Sequence, residues 1–389
     1  MAGHRDHGRH HARLDRRTSR LLPHIRPLPP PRGIGRHTVF KPQGHSSKYS
    51  PAKGVSPRYT DEAPPLPFPN GWFCAGFSDE LLPGKVTTRR LAGQDLVLYR
   101  TRSGLIRATR PYCPHLGAHL GTAGRIEGEE VVCSFHGFAF GPDGTCTRTG
   151  YGTRPPKAFL PLLPVREEGG LILVWHHHAG AAPTWDLLPA HPGEFTPVAR
   201  DTTECAGHPQ EVLENIVDFG HLTALHWPRV SSVRVTKSFT EEGTTSRVVL
   251  EMAVRPPGWK KPMLTSYEFT LHGLGGTEVH IHLPAGFTVR IWFMPTPVAP
   301  WRIQLRSGID ARVPAPGFLP TPANRALAAA GSYLLSQFFL WYHNRVFLFS
   351  EQNGDVPVWN TKEYLARPRL TEGDGPITRY RRWAGQFYP

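Results

Sequence analysis

Two short cysteine–histidine pairs constrain this chain more than any other feature: Cys113-Pro114-His115 and Cys133-Ser134-Phe135-His136. Seventeen residues separate them, and proline and glycine flank both. Each pair therefore reads as a stiff loop, and the fold must bring the two loops together if the four side chains are to share a metal site. The other cysteines, of five in 389 residues, are Cys74, Cys146 and Cys205, and none has a histidine at useful spacing. A sparse, odd set is not a disulfide framework and points to a reducing, cytoplasmic setting.

Zinc usually pairs Cys with Cys and His with His, whereas both pairs here are mixed. One mixed pair on each of two loops suits a [2Fe-2S] cluster of the Rieske type, with two thiolates on one iron and two imidazoles on the other. Gly117, Gly121, Gly124, Gly137, Gly141 and Gly144 surround the pairs, where backbone N–H groups could reach cluster sulfur. Two structural cysteines with chance histidines, and a tetrahedral zinc, are the competing readings. His119 is spaced for neither pair. His176-His177-His178 ends a strand whose successive side chains face opposite ways, so these read as solvated histidines.

A second constellation lies in ENIVDFGHLTALH, residues 214–226, with His221 and His226 five apart. On an ideal helix they would diverge by about 140°. Gly220 and the break before Trp227-Pro228 permit an irregular backbone that lets them converge. Two histidines and one carboxylate with open positions make the non-haem iron(II) site that activates oxygen. Asp355 is the candidate carboxylate, with Glu351 and Asp218 as competitors. Asp218, three residues before His221, could instead accept a hydrogen bond from a ligand imidazole and fix its tautomer.

The net charge of +14 is concentrated at one end. Residues 1–60 hold thirteen Lys+Arg against two Asp+Glu, or +11, leaving +3 on the remaining 329. The body is thus no nucleic-acid binder. Residues 1–62, rich in His, Arg and Pro, read as a disordered tail, either inert or binding metal or polyanions. Arg16-Arg17 lacks the apolar run of an export signal. The most apolar stretch, 328–349, is broken by Ser, Gln, His, Asn and Arg, so no membrane span is expected.

From about residue 66 to 180, strands at 95–101, 105–110, 130–135 and 170–176 alternate with turns such as Arg102-Ser103-Gly104 and Pro142-Asp143-Gly144, giving a small all-β domain. A proline-bearing link at 183–192 leads to a second domain, 190–389. There QEVLENIVDFGHL, 210–222, has helical spacing. Alternating runs between 233 and 308 predict an antiparallel sheet of five or more strands. Thr321-Pro322 opens a long helix expected to reach about Gln352. The fold class is therefore α+β.

On Cys113-Pro114-His115, Cys133-Ser134-Phe135-His136 and Asn215…Asp218…His221…His226, the sequence resembles the Rieske non-haem iron oxygenases, in their terminal oxygenase (alpha) component. The resemblance runs from about residue 66 to the C-terminus. It implies that Cys113 and Cys133 hold one cluster iron, His115 and His136 the other, and that His221, His226 and Asp355 bind a mononuclear non-haem Fe(II). Asp355 matches the family aspartate four residues before a tryptophan, here Trp359. Asn215 and Asp218 stand as catalytic candidates beside the ligands. Asp218 matches an aspartate that links a cluster histidine of one subunit to an iron histidine of the next, which implies a homotrimer.

The segment 214–226 and the C-terminal DGPITRYRRWAGQFYP are similar to the ketosteroid hydroxylase and sterol 7-desaturase branch. The resemblance implies hydroxylation of a lipophilic substrate, steroid-like or polycyclic aromatic, with O₂. Desaturation or oxidative cyclisation is the first alternative, and a Rieske electron carrier alone the second. No dinucleotide-binding G-x-G-x-x-G follows a strand. Electrons are therefore expected from a separate NAD(P)H-dependent reductase, directly or through a ferredoxin.

Overall fold

Alternation of apolar and polar residues decides most of this architecture. The computed structural model describes residues 66–186, 197–314 and 321–389. The basic tail, and residues 187–192 of the proline-bearing link, lie outside these.

The first domain is all antiparallel. In spatial order, one sheet holds Gly71–Phe77, Leu171–His176 and Val165–Glu168. A second holds Val86–Leu91, Gln94–Arg100, Ile106–Thr109 and Leu162–Leu163. A third holds Gly124–Glu127, Glu130–Cys133, Phe138–Phe140 and Cys146–Arg148, preceded by the one-turn helix α1 (Leu120–Ala123). The expected strands appear within a residue or two. Gly71–Phe77 and Val86–Leu91 were not expected as strands: the first is buried at every position and the second mostly charged or Thr, so neither alternates cleanly.

The second domain is built on one seven-stranded antiparallel sheet, ordered Ala199–Ala206, Arg302–Arg312, Thr288–Ala299, Gly276–His282, Met263–His272, Thr245–Val254, Val230–Glu242. Burial along Thr245–Val254 alternates at every residue. The inner face takes Val248, Leu250 and Met252 into a core with α2 (Pro209–Glu214) and α3 (Phe219–Ala224). Further along, Ile281, Ile291 and Ile309 meet Leu335 and Phe339 of α4 (Thr321–Tyr342).

The continuous helix expected over 210–222 is broken, because Asn215 to Asp218 leave the helix and Asp218 caps α3 through its Oδ1, 3.3 Å from the His221 N–H. The long helix is α-helical only to Tyr342; a π-helical turn, His343–Leu348, replaces the expected run to Gln352. The short α5 (Asp355–Trp359) follows.

The first domain sits on the outer face of this sheet. Trp72, Phe77 and Trp175 pack against Trp292 and Met294. The Cys74 carbonyl accepts from Thr296 Oγ1 at 2.7 Å and from Arg306 Nη1 at 2.6 Å. A Cβ on Gly275 would stand 1.8 Å from the Trp72 carbonyl, so glycine alone allows that approach.

The C-terminal helix α6 (Ile377–Ala384) locks the break between α2 and α3. Arg381 grips the Glu214 carboxylate with both ends of its guanidinium, at 2.6 and 2.8 Å. The Tyr380 hydroxyl donates to the Gln210 carbonyl at 2.8 Å. Glu214 is buried, so Arg381→Ala would strand its charge and is expected to cost about 3 kcal/mol. Urea denaturation measures this. In the double variant with Glu214→Gln the loss should shrink; an equal loss would mean that the pair does not carry the contact.

Candidate metal centres and the catalytic cavity

Cys113 and His115 lie on the loop before α1; Cys133 ends a strand and His136 sits in the tight turn after it. Both cysteines are buried, while both histidines are part-buried. The imidazole rings meet edge to face, with centroids 4.7 Å apart, and His115 stacks on Phe138 at 4.0 Å. The turn that carries His136 needs glycine: Gly137 has φ +69°, and a Cβ there would come within 2.6 Å of the Gly150 backbone.

Burial, with the neighbouring Cys133 adding to it, pushes the Cys113 thiol up to about 11. A thiolate pair here needs a cation, which is the demand an iron–sulfur cluster meets. A tetrahedral zinc would bring four donors within about 4 Å of one another. Here Cys133 acts on the Cys113 thiol and the two imidazoles meet each other, so the donors pair thiol with thiol and ring with ring, which suits two metal ions. His119 stays outside both pairs and caps α1, accepting from the Gly121 N–H at 3.1 Å. His176 departs from expectation: it is part-buried, edge-on to Phe68, and burial brings its pKa down to about 4.

The second set comes from two segments far apart in sequence. His221 lies in α3, His226 just beyond its end, and Asp355 opens α5. Their ligand atoms all lie within 4.8 Å of one another, the one such group of three among the described residues. The His226 Nε2 is 3.5 Å and the His221 Nε2 3.9 Å from the same Asp355 oxygen, Oδ1. That oxygen is buried and has no hydrogen-bond partner among the described residues. Glu351 is exposed and not part of the group.

Both Nδ1 atoms are already engaged. His221 Nδ1 donates to the Asp218 carbonyl at 2.5 Å, and His226 Nδ1 to the Asn353 carbonyl at 2.9 Å. Each ring is thereby fixed as the tautomer whose Nε2 lone pair faces Asp355. This sharpens the expectation for Asp218. The backbone carbonyl is the acceptor, while the carboxylate lies 3.7 Å from Nδ1 and serves as the cap of α3.

Asn353 was not anticipated. Its side-chain Nδ2 also donates to the Leu225 and Trp227 carbonyls, at 2.8 and 3.1 Å, tying the aspartate-bearing loop to the histidine-bearing one. The Asn353-Gly354 dipeptide was the available signal. Gly354 is required because a Cβ would stand 2.6 Å from three backbone atoms of Leu348 and Ser350.

Electrostatics match a cation site. Burial, to which the Asp218 charge adds and which His221 opposes, pushes Asp355 up to about 6. Burial takes His226 down to about 4. For His221, burial favours the neutral ring, but the Asp218 and Asp355 carboxylates outweigh it and raise the pKa. For Asp218, burial is likewise outweighed by His221, and its pKa falls.

The group opens into a cavity between the inner sheet face and α2, α4 and the π turn, with ≈ 910 Å³ of empty space when the adjoining open solvent is included. Asn215 and Trp359 line it together with aliphatic and aromatic side chains, and among the described residues no Lys or Arg does so. Among the described residues no helix is long and apolar enough to cross a membrane.

Residues 71–159 match the Rieske [2Fe-2S] domain family, and residues 174–388 match the 3-ketosteroid 9alpha-hydroxylase C-terminal domain. A cholesterol 7-desaturase from Xenopus laevis is 30% identical over 359 residues, 85% of this chain and 74% of that protein. A probable 3-ketosteroid-9-alpha-monooxygenase oxygenase component from Rhodococcus rhodochrous is 26% identical over 348 residues, 84% and 81% of the two chains. Among solved structures, dicamba monooxygenase bound to dicamba superposes with a TM-score of 0.55 at 18% identity, covering 82% of this chain and 96% of that one. Pseudomonas putida CBB5 NdmA gives 0.55 at 15% identity, covering 81% and 88%. Two domain families in this order, and relatives matched across both, place the chain among the Rieske non-haem iron oxygenases, as a terminal oxygenase with a [2Fe-2S] cluster and a mononuclear iron.

Proposed function

We propose that this oxygenase hydroxylates a neutral, lipophilic, sterol-like molecule. The observation that carries the reading is the His221–His226–Asp355 group opening directly on a large apolar cavity. Such a cavity suits a ligand whose binding comes mainly from removal of apolar surface from water. The names of the Xenopus and Rhodococcus relatives, a cholesterol desaturase and a ketosteroid monooxygenase, point to the same substrate class.

In this reading residues 66–180 form the cluster domain and residues 190–389 the catalytic domain. Cys113, Cys133, His115 and His136 hold the cluster, and the Nε2 atoms of His221 and His226 with an Asp355 oxygen hold iron. When bound, the cluster supplies one-electron transfer and the iron supplies O₂ activation at its open positions. The chain's own work is preparatory. The Asp218 and Asn353 carbonyls keep both Nδ1 protons away from the metal side. Phe347 packs on His226, with ring centroids 5.0 Å apart, and keeps water from that ligand. Asn215 faces the cavity beside the ligands and is placed to contact substrate.

Electrons come from a separate NAD(P)H-dependent reductase, directly or through a ferredoxin. The exposed Leu116 and Phe135, 66% and 60% accessible beside the cluster histidines, support docking of another chain there. A homotrimer in which Asp218 of one subunit meets a cluster histidine of the next is part of the proposal. Five free cysteines support a cytoplasmic setting.

Desaturation is the second reading, favoured by the relatives named as cholesterol 7-desaturases. Turnover of a sterol panel under labelled O₂ with a surrogate reductase separates the two. Hydroxylation places labelled oxygen in the product, whereas desaturation only removes two hydrogens. Absence of any steroid-dependent oxygen uptake would overturn the substrate class.

The purified protein should contain about three irons per chain. His221→Ala should lose one of them and all turnover while keeping the cluster's visible spectrum; loss of that spectrum would show that the two sites are not separate. Metal affinity should depend on pH with a definite sign. Binding requires the Asp355 carboxylate, protonated below about 6 in the metal-free protein, and a neutral His221. Affinity for Co(II), read by competition, should therefore rise at least about tenfold per unit as pH climbs toward that value, and keep rising until His221, whose pKa is raised, is also neutral. Asp355→Asn should bind more weakly and with a shallower slope. An affinity independent of pH across that range would contradict the ligand assignment.

A further inference from the structure

We propose that His343 is the polar anchor of the cavity, hydrogen-bonding the single oxygen of an otherwise apolar substrate and so setting which carbon meets the oxidising site. The inference rests on the sterol-like reading above and narrows it.

Two of the cavity's hydroxyls and both ligand imidazoles are spoken for, and Asn215 is placed to contact substrate beside the ligands. The Thr277 hydroxyl donates to the Thr270 carbonyl at 3.0 Å, and the Tyr342 hydroxyl to the Arg255 carbonyl at 3.3 Å. Both ligand imidazoles give Nδ1 to carbonyls, and their Nε2 atoms face Asp355. His343 differs. It lines the cavity, and its Nε2 is buried without a hydrogen-bond partner among the described residues. An unmade hydrogen bond on a buried polar atom costs about 1–3 kcal/mol. A leucine or phenylalanine in its place would remove that cost. A histidine kept in such surroundings is explained by a partner that arrives with the ligand.

The ring is also held in place. His343 is the first residue of the π turn His343–Leu348 and follows a 22-residue helix. The wider π turn lets His343, Phe347 and Leu348 all border the cavity, and π turns recur at functional sites. The ring is edge-on to Phe293 at 5.8 Å and tilted over Phe347 at 6.4 Å. The adjacent Asn344 Nδ2 is fixed on Asp201 at 3.1 Å.

The chemistry of the bound group follows. Burial lowers His343 to about 4, so near neutral pH the imidazole is uncharged and offers one donor and one acceptor. With no Lys or Arg among the described residues that line the cavity, a carboxylate ligand would find no counter-ion there, whereas a hydroxyl or a ketone would be satisfied. Position follows as well. Phe347 packs against both His343 and the ligand His226, so the anchor and the metal group border the same part of the cavity. The oxidised carbon should therefore lie within one or two fused rings of the oxygen-bearing carbon, not at the far end of the molecule.

The test uses the holoenzyme and three probes with one skeleton: 5α-cholestane, its 3-alcohol and its 3-ketone. Dissociation constants come from tryptophan fluorescence, since Trp359 lines the cavity. The wild type should bind the oxygenated probes about tenfold more tightly than the hydrocarbon. His343→Phe should abolish that preference by weakening only the oxygenated probes, and His343→Gln should retain part of it. Products from His343→Phe should also be less selective in position. An equal loss for all three probes, or an unchanged preference, would overturn the anchor role. If the wild type binds all three alike, the anchor fails and the lipophilic reading stands. If it binds none while its iron content is complete, both fail.

Discussion

The catalytic half of this protein depends on where two protons are kept. Each imidazole of the His221–His226–Asp355 group can bind metal through one nitrogen only if the other carries the hydrogen. Here both Nδ1 hydrogens are committed to backbone carbonyls, of Asp218 and Asn353. A carbonyl cannot ionise, so the tautomer does not depend on the charge of a nearby carboxylate. The two Nε2 atoms then face one aspartate oxygen that nothing else in the described chain satisfies. Desolvation makes that oxygen costly to leave charged, and a divalent cation relieves the cost.

Much of the surrounding architecture serves to hold those carbonyls in position. The Asp218 carbonyl exists in that place because the helix breaks between Glu214 and Phe219. The break is clamped from outside by α6, through Arg381 on Glu214 and the Tyr380 hydroxyl on Gln210. Close approach matters too: a Cβ on Gly375 would sit 2.2 Å from the Val217 carbonyl. The extreme C-terminus thus acts on the metal group at one remove. On the other side, Asn353 binds the His226 loop through both its carbonyl and its side chain. Distortion at either clamp would turn a ring and misdirect its Nε2.

What could be read from the sequence follows the same division between local and distant information. The two candidate cluster loops were legible because each carries its own Cys-His pair, proline and glycine. The sheet strands were legible because Thr245–Val254 and its neighbours alternate residue by residue. His221 and His226 were visible as a pair, and Gly220 hinted at an irregular backbone. Asp355 was harder, since it lies 129 residues beyond His226 and looks locally like a turn residue. It stands as the candidate carboxylate, with Glu351 and Asp218 as competitors, and the match to an aspartate four residues before Trp359 comes from the resemblance. The carbonyl roles of Asp218 and Asn353 could not be read at all, because backbone acceptors leave no trace in residue type. The π turn was missed for a related reason: it changes the hydrogen-bond step but not the apolar composition of the helix.

The seven-stranded sheet keeps the two redox sites chemically apart. Odd and even positions of one strand, Thr288–Ala299, serve opposite sides: Ile291 and Phe293 face the cavity, while Trp292 and Met294 pack under the cluster domain. Substrate on the inner face therefore does not approach the thiol and imidazole loops on the outer side. His115 and His136 are part-buried beside the exposed Leu116 and Phe135, whereas His226 and Asp355 are enclosed. An exposed imidazole edge tolerates water and transient partners; an oxygen-activating iron does not, because water would compete for its open positions. Placing the first on a surface loop and the second under a sheet satisfies both requirements in one chain. It also explains why the inner face can be almost wholly apolar: the polar work of exchanging electrons is done on the other side.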